Sequence, residues 1–118
     1  MKEETFNGLY IDERGSNRWY KNGVLHREGG PAIIWYDGDQ WWYKDGKLHR
    51  EDGPAVIRPS GFMCWYKDDI LHRDDGPAVI HPDGGQEWYK EDKLYEPTAH
   101  DLMVWKMNER SNIERTTH

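Results

Sequence analysis

Trp19, Trp42, Trp65 and Trp88 stand 23 residues apart, and each opens a Trp-Tyr-Lys triplet. A fixed period of this length is the mark of a repeat architecture, in which each unit buries its apolar face against its neighbours instead of in one central core. Three units run in parallel from that Trp: WYKNGVLHREGGPAII, WYKDGKLHREDGPAVI and WYKDDILHRDDGPAVI. A fourth, WYKEDKLYEP, starts in register and then loses the His-Arg and Gly-Pro-Ala elements, as a terminal unit does where an array stops. Upstream, Gly15 falls on the register of Gly38, Gly61 and Gly84, so Tyr10 to Arg18 reads as the second half of a degenerate leading unit.

Turn chemistry makes each unit β. Asn22-Gly23 and Asp45-Gly46 lie between short aromatic or apolar runs, the pattern of a tight hairpin with positive φ. Pro-Ala-Val-Ile supplies another strand with Pro at its start, and Asp37-Gly38, Ser60-Gly61 and Asp83-Gly84 turn the chain back toward the next Trp. The fold expected is mainly β: an elongated, single twisted antiparallel sheet of about four 23-residue repeats, two strands each, with a short C-terminal helical cap. The β-repeat array takes residues 1–97, and residues 98–118 form the capping helix and polar tail. Thr98 is the predicted N-cap with Asp101 three residues on. Counting in steps of the period places Leu102-Met103 on Val79-Ile80, so a last strand is the alternative there. The polar stretch from Asn108 is expected to fray.

Such a chain has little with which to build a thick interior. Of 118 residues 36% are apolar, so the seven Trp and seven Tyr must carry most of the burial. The formal charge is −6, from 22 acids and 16 bases mixed along the chain, and no basic concentration exists to bind a phosphate backbone. Anionic leaflets would repel it, which disfavours a membrane surface. The single cysteine, Cys64, rules out an internal disulfide and suits a reducing compartment. Met1-Lys2-Glu3-Glu4 lacks a leader pattern, and no apolar run approaches the ~18 residues of a span, so a cytoplasmic location is expected.

The repeated residues resemble the MORN-type repeats, most closely the variant with a His-Arg-(Glu/Asp)-Asp-Gly-Pro-Ala signature found in phage and bacterial proteins. His49-Arg50-Glu51-Asp52-Gly53-Pro54-Ala55 and His72-Arg73-Asp74-Asp75-Gly76-Pro77-Ala78 carry it, and His26-Arg27-Glu28-Gly29-Gly30-Pro31-Ala32 departs by one Gly. The likeness implies an elongated antiparallel sheet used for protein or membrane contacts. Some relatives look like antitoxins, and a phage-encoded member would act in the host cytoplasm.

His26, His49 and His72 beside Arg and carboxylates raise the question of acid–base or metal chemistry. Equivalent residues of successive two-strand units recur at ~9.6 Å, too far apart to share a zinc ion. A catalytic site is a convergent set of unlike groups, whereas this set is copied along a rod. These histidines and Trp19, Trp42, Trp65 and Trp88 therefore read as structural, with Asp52 and Asp75 bracing the Gly turn and each Arg reaching carboxylates of the next unit. Cys64 reads as a small hydrophobe. No catalytic residue, metal or cofactor is expected.

Specificity would then sit where units differ. Arg18, Trp41, Cys64 and Glu87 precede the ladder Trp, and Ser16, Asp39, Phe62 and Gly85 stand two residues earlier. Strand alternation groups Trp41, Tyr43, Phe62, Cys64 and Tyr66 into one apolar patch, with Trp35 and Tyr36 extending it. This patch is the predicted partner-binding surface; the alternative is that the C-terminal segment folds over it. The function expected is a non-enzymatic protein-binding module that inhibits a cytoplasmic bacterial partner, of antitoxin, immunity or phage anti-defence type, such as an anti-CRISPR-like inhibitor. Alternatives are a nucleotide-ligand sponge, with Trp faces stacking the base and Arg50 or Arg73 holding its phosphate, and a membrane-associated MORN-type module. Either sheet edge could also pair with a second copy.

Overall fold

A computed structural model describes residues 6–116, with side chains through Glu109. Residues 1–5 of the predicted array and 117–118 of the predicted tail lie outside the described residues. Among the described residues fifteen strands are followed by one helix. They are β1 (Gly8–Ile11), β2 (Asn17–Lys21), β3 (Val24–Leu25), β4 (Ile33–Ile34), β5 (Gln40–Trp41), β6 (Tyr43–Lys44), β7 (Lys47–Leu48) and β8 (Val56–Ile57). There follow β9 (Met63–Cys64), β10 (Tyr66–Lys67), β11 (Ile70–Leu71), β12 (Val79–Ile80), β13 (Gln86–Glu87), β14 (Tyr89–Lys90), β15 (Lys93–Leu94) and α1 (Ala99–Thr116). The molecule is elongated, 53 × 31 × 25 Å, mainly β and antiparallel throughout, as the repeat predicts.

The expected single sheet resolves into a longer sheet and a row of hairpins. Nine strands form one sheet in the order β1-β2-β4-β5-β8-β9-β12-β13, with β3 on β2; β6-β7, β10-β11 and β14-β15 are separate two-stranded hairpins. The division falls at Trp42, Trp65 and Trp88, whereas β2 runs unbroken through Trp19 and keeps β3 in the long sheet. Trp42 donates its N–H to the Ala55 carbonyl in the long sheet at 2.7 Å, while its own carbonyl accepts from His49 N–H on the hairpin side at 3.1 Å. Trp65 repeats both bonds with Ala78 and His72. The strand is interrupted there, and Leu48, Tyr66, Leu71 and Tyr89 from the hairpins pack against Val56, Cys64 and Val79 of the sheet. Burying those rings and leucines stabilises the packing of the hairpins on the sheet. Ala32, Ala55 and Ala78, whose carbonyls accept the N–H of Trp19, Trp42 and Trp65, are fully buried.

Hairpin turns fasten each unit to the one before. Asn22-Gly23 and Asp45-Gly46 both have positive φ, as their sequence requires, but so do Asp68-Asp69 and Glu91-Asp92, where no Gly is present. The strain at Asp69 and Asp92 is offset by a bond that Gly cannot make. The Asp69 carboxylate accepts the Leu48 N–H at 2.7 Å and that of Asp92 accepts the Leu71 N–H at 2.8 Å. In return the Asp69 and Asp92 N–H groups donate to the Leu48 and Leu71 carbonyls at 2.8 and 2.9 Å.

Past the last hairpin, Thr98 Oγ1 accepts the Asp101 N–H and the Asp101 carboxylate accepts the Thr98 N–H, a reciprocal N-terminal cap. The helix continues to Thr116, further than the polar composition after Asn108 led us to expect. Its Trp105 meets Trp88 edge-on, with centroids 5.9 Å apart at 90°. Tyr95 and Glu96 occupy the His and Arg positions of this unit, so Trp88 takes its cover from Trp105 and from Tyr95 at 6.2 Å. Trp88 is buried as a result. Among the described residues no helix is long and apolar enough to cross a membrane.

Candidate interaction surface

The His-Arg-acid-Gly-Pro-Ala motif repeated along the chain is accounted for by local packing. The guanidinium of Arg27, Arg50 and Arg73 lies over the indole of its own unit, Trp19, Trp42 and Trp65, at 3.8, 4.0 and 3.9 Å from the ring centroid. On the other side stands the motif glycine. A Cβ built on Gly53 would fall 2.9 Å from Arg50 Cζ, and one on Gly76 would fall 2.6 Å from Arg73 Cζ. These glycines do not have positive φ; they are needed for close approach. Arg50 Nε donates to Asp52 and Nη1 to the Pro54 carbonyl, and Arg73 repeats this with Asp75 and Pro77. The carboxylate partner thus belongs to the same loop, two residues on, and not to the next unit as expected. A contact between Arg and its own Trp needs the loop to fold back, which spacing alone does not reveal.

The histidines do link neighbouring units. Nδ1 of His26, His49 and His72 accepts the backbone N–H of Asp45, Asp68 and Glu91 at 3.0, 3.2 and 3.1 Å, each the turn residue of the following hairpin. Nε2 donates to Glu28, Glu51 and Asp74 respectively. Carboxylates of Asp45 and Asp68 also approach Nδ1, at 3.4 and 3.2 Å, but the third unit has no such contact and keeps the amide bond. The shared donor is therefore the amide, which fixes the proton on Nε2. The Nε2 bonds hold the Glu28 and Glu51 carboxyls below their ordinary range. Among the described residues no three His, Cys, Asp or Glu are gathered as metal ligands.

The residues predicted to bind a partner come together, but largely inward. Val56 pairs with both Trp41 and Cys64 across the sheet, and Val79 pairs with Cys64, so these side chains share one face. Cys64 is buried in the cluster with Val56 and Val79; Trp41, Phe62 and Tyr66 pack against it and are half-buried. Burial, and secondarily the Glu87 charge, pushes the Cys64 thiol up to about 11, so it stays protonated and is a poor nucleophile at neutral pH. Tyr43 is half-buried, and desolvation raises its phenol. Trp35 stands edge-on to Trp41 at 5.4 Å, with Arg18 over its ring. Of the seven, Tyr36 alone is exposed, and Arg14 both stacks on its ring and donates to its hydroxyl.

Exposed apolar residues outside the repeat motif lie at the two ends, on α1 and β1. On α1, Leu102, Met103 and Met107 are exposed and, with Ala99 and Lys106, line a shallow depression of about 380 Å³. Once Trp105 is turned toward Trp88, helical spacing sends Met103 and Met107 to the opposite side. On β1, Leu9, Tyr10 and Ile11 are 46, 52 and 57% exposed. A third feature lies between the second and third units: a cleft of about 510 Å³, floored by Met63, Trp65 and Ile80 and walled by the Arg50 and Arg73 loops. Its arginines are already committed to their own Trp and Asp.

No family model matches the chain, and no curated protein or solved structure matches it.

Proposed function

We propose that the protein is a non-enzymatic protein-binding module that inhibits a cytoplasmic bacterial partner, in the manner of an antitoxin, an immunity protein or a phage anti-defence protein. The exposed methionine and leucine face of α1 carries this reading. Met103 and Met107 are 53 and 61% exposed on a helix whose other side is anchored by Trp105. Methionine surfaces adapt to a partner's shape, and anchoring of the helix through Trp105 on Trp88 lowers the ordering entropy of binding. Two features support a scaffold rather than an enzyme. The repeated His, Arg and Asp side chains are bonded within the repeat, and the resemblance to MORN-type repeats points the same way. Affinity capture from the native host, with the Met103→Asp/Met107→Asp double variant as control, tests this. Loss of one defined partner in the variant, with unchanged thermal unfolding, is the expected result. Equal capture by both forms would place the binding surface elsewhere.

A further inference from the structure

We infer that β1 is a dimerisation edge, at which two copies of this chain pair antiparallel about a twofold axis through Tyr10. Among the described residues β1 pairs with β2 alone. The register sets Leu9 opposite Trp19 and Ile11 opposite Asn17. Trp19 N–H donates in the other direction, to the Ala32 carbonyl at 2.8 Å, so Leu9–Trp19 is a non-hydrogen-bonded pair of the β1-β2 ladder. It follows that the N–H and C=O of Leu9, and of Ile11 two residues on, face away from β2. They form a ready template for another strand.

Three observations select a second copy as that strand. An antiparallel partner centred on Tyr10 places Leu9 opposite the other copy's Ile11 and Tyr10 opposite Tyr10, with the outward backbone groups of both copies in register for four hydrogen bonds. All three side chains are exposed and apolar, and Gly8–Ile11 contains none of the Lys, Pro or acidic residues that usually guard an edge. Charge completes the case. Asp12 and Glu13 follow the strand, and antiparallel pairing sets the acids of the two copies at opposite ends, whereas parallel pairing would abut them. The far edge, β13, is Gln86–Glu87, so head-to-tail growth would bury Glu87 against Leu9 or Ile11. The contact is therefore closed and isologous, not filamentous. It is independent of the function proposed above, because it uses neither α1 nor the central aromatics.

Sedimentation equilibrium of the full chain should show a concentration-dependent rise from 14.1 kDa to twice that mass. Leu9→Lys/Ile11→Lys sets Lys against Lys at both cross-strand pairs and should weaken dimerisation at least tenfold. Leu9→Glu/Ile11→Glu should do the same, and an equimolar mixture of the two variants should restore a dimer by pairing Lys with Glu. That rescue distinguishes a lost interface from a misfolded strand. A wild type that stays monomeric at millimolar concentration would overturn the inference, as would a dimer that survives both variants. So would Leu9 and Ile11 amides protected from hydrogen exchange at every concentration, because the chain itself would then cover the edge.

Discussion

Replacing Gly76 by Ala isolates the packing unit that the repeat copies along its length. A Cβ at that position would lie 2.6 Å from Arg73 Cζ and 2.9 Å from Nε and Nη1, so the guanidinium must leave the Trp65 face or tilt on it. Arg73 is well buried, its side chain 10% exposed, and its stack with Trp65 belongs at the upper end of the cation–π range, about 2 kcal/mol. Bonds from Arg73 to Asp75 and to the Pro77 carbonyl contribute about 1 kcal/mol each and are lost only if the side chain swings fully out. Against this, Gly76 lacks a positive φ, so Ala reduces the freedom of the unfolded chain and recovers about 0.4–1 kcal/mol. The net destabilisation is about 1–3 kcal/mol, read as a lower urea midpoint at unchanged m-value. The decisive measurement is the same substitution in an Arg73→Ala background. With no guanidinium to displace, Gly76→Ala should be neutral or stabilising there. An equal loss of stability in both backgrounds would show that the glycine is not making room for the arginine.

At the third hairpin, Asp69→Ala should destabilise by about 2 kcal/mol, because it keeps the positive φ and loses the Leu48 N–H bond, while Asp69→Gly should be close to neutral. Hydrogen exchange at the Leu48 amide should quicken in both. Trp41→Ala should lower stability by about 3 kcal/mol in urea unfolding, because the ring packs on the Val56, Cys64 and Val79 cluster; a change under about 0.5 kcal/mol would return it to the free surface. Acid should weaken the fold through Glu28, Glu51 and Glu87. Hydrogen bonds, mainly from His26, His49 and His81, depress these carboxyls below the ordinary 4.5, so their stabilising contribution is complete above that value and fades as pH falls through the folded values. Thermal midpoints should drop between pH 5 and pH 3, and Glu51→Gln should reduce that drop.

Features governed by local turn chemistry were legible in the residues. The φ-positive hairpins at Asn22-Gly23 and Asp45-Gly46, the turn glycines Gly15, Gly38, Gly61 and Gly84, and the Thr98–Asp101 cap each follow from the preferences of residues close in sequence. The break between β5 and β6 at Trp42 did not, because simple alternation assumes an unbroken strand, and the packing of Leu48 and Tyr66 on the sheet is a tertiary contact. Trp41 and Phe62 pack on buried Cys64 with Val56 and Val79, tertiary contacts that strand alternation alone does not give. Arg50 stacking on Trp42 was hidden for a related reason: eight positions separate them, and the loop that closes this gap is shaped by Gly53 and Pro54 together. The free face of α1 depends on Trp105 packing on Trp88, a contact between two rings 17 positions apart that no local pattern encodes.

The bond from each histidine to the amide 19 positions ahead has a consequence for the length of the chain. Every clasp is encoded within one period and its successor, so nothing in the middle of the array counts how many copies are present. Deleting or duplicating one whole block in frame should shorten or extend the ribbon by about 10 Å, two strand spacings, with both ends intact. A shift by any other number of residues would leave an imidazole without its amide and an indole without its guanidinium. Growth of such a molecule is quantised.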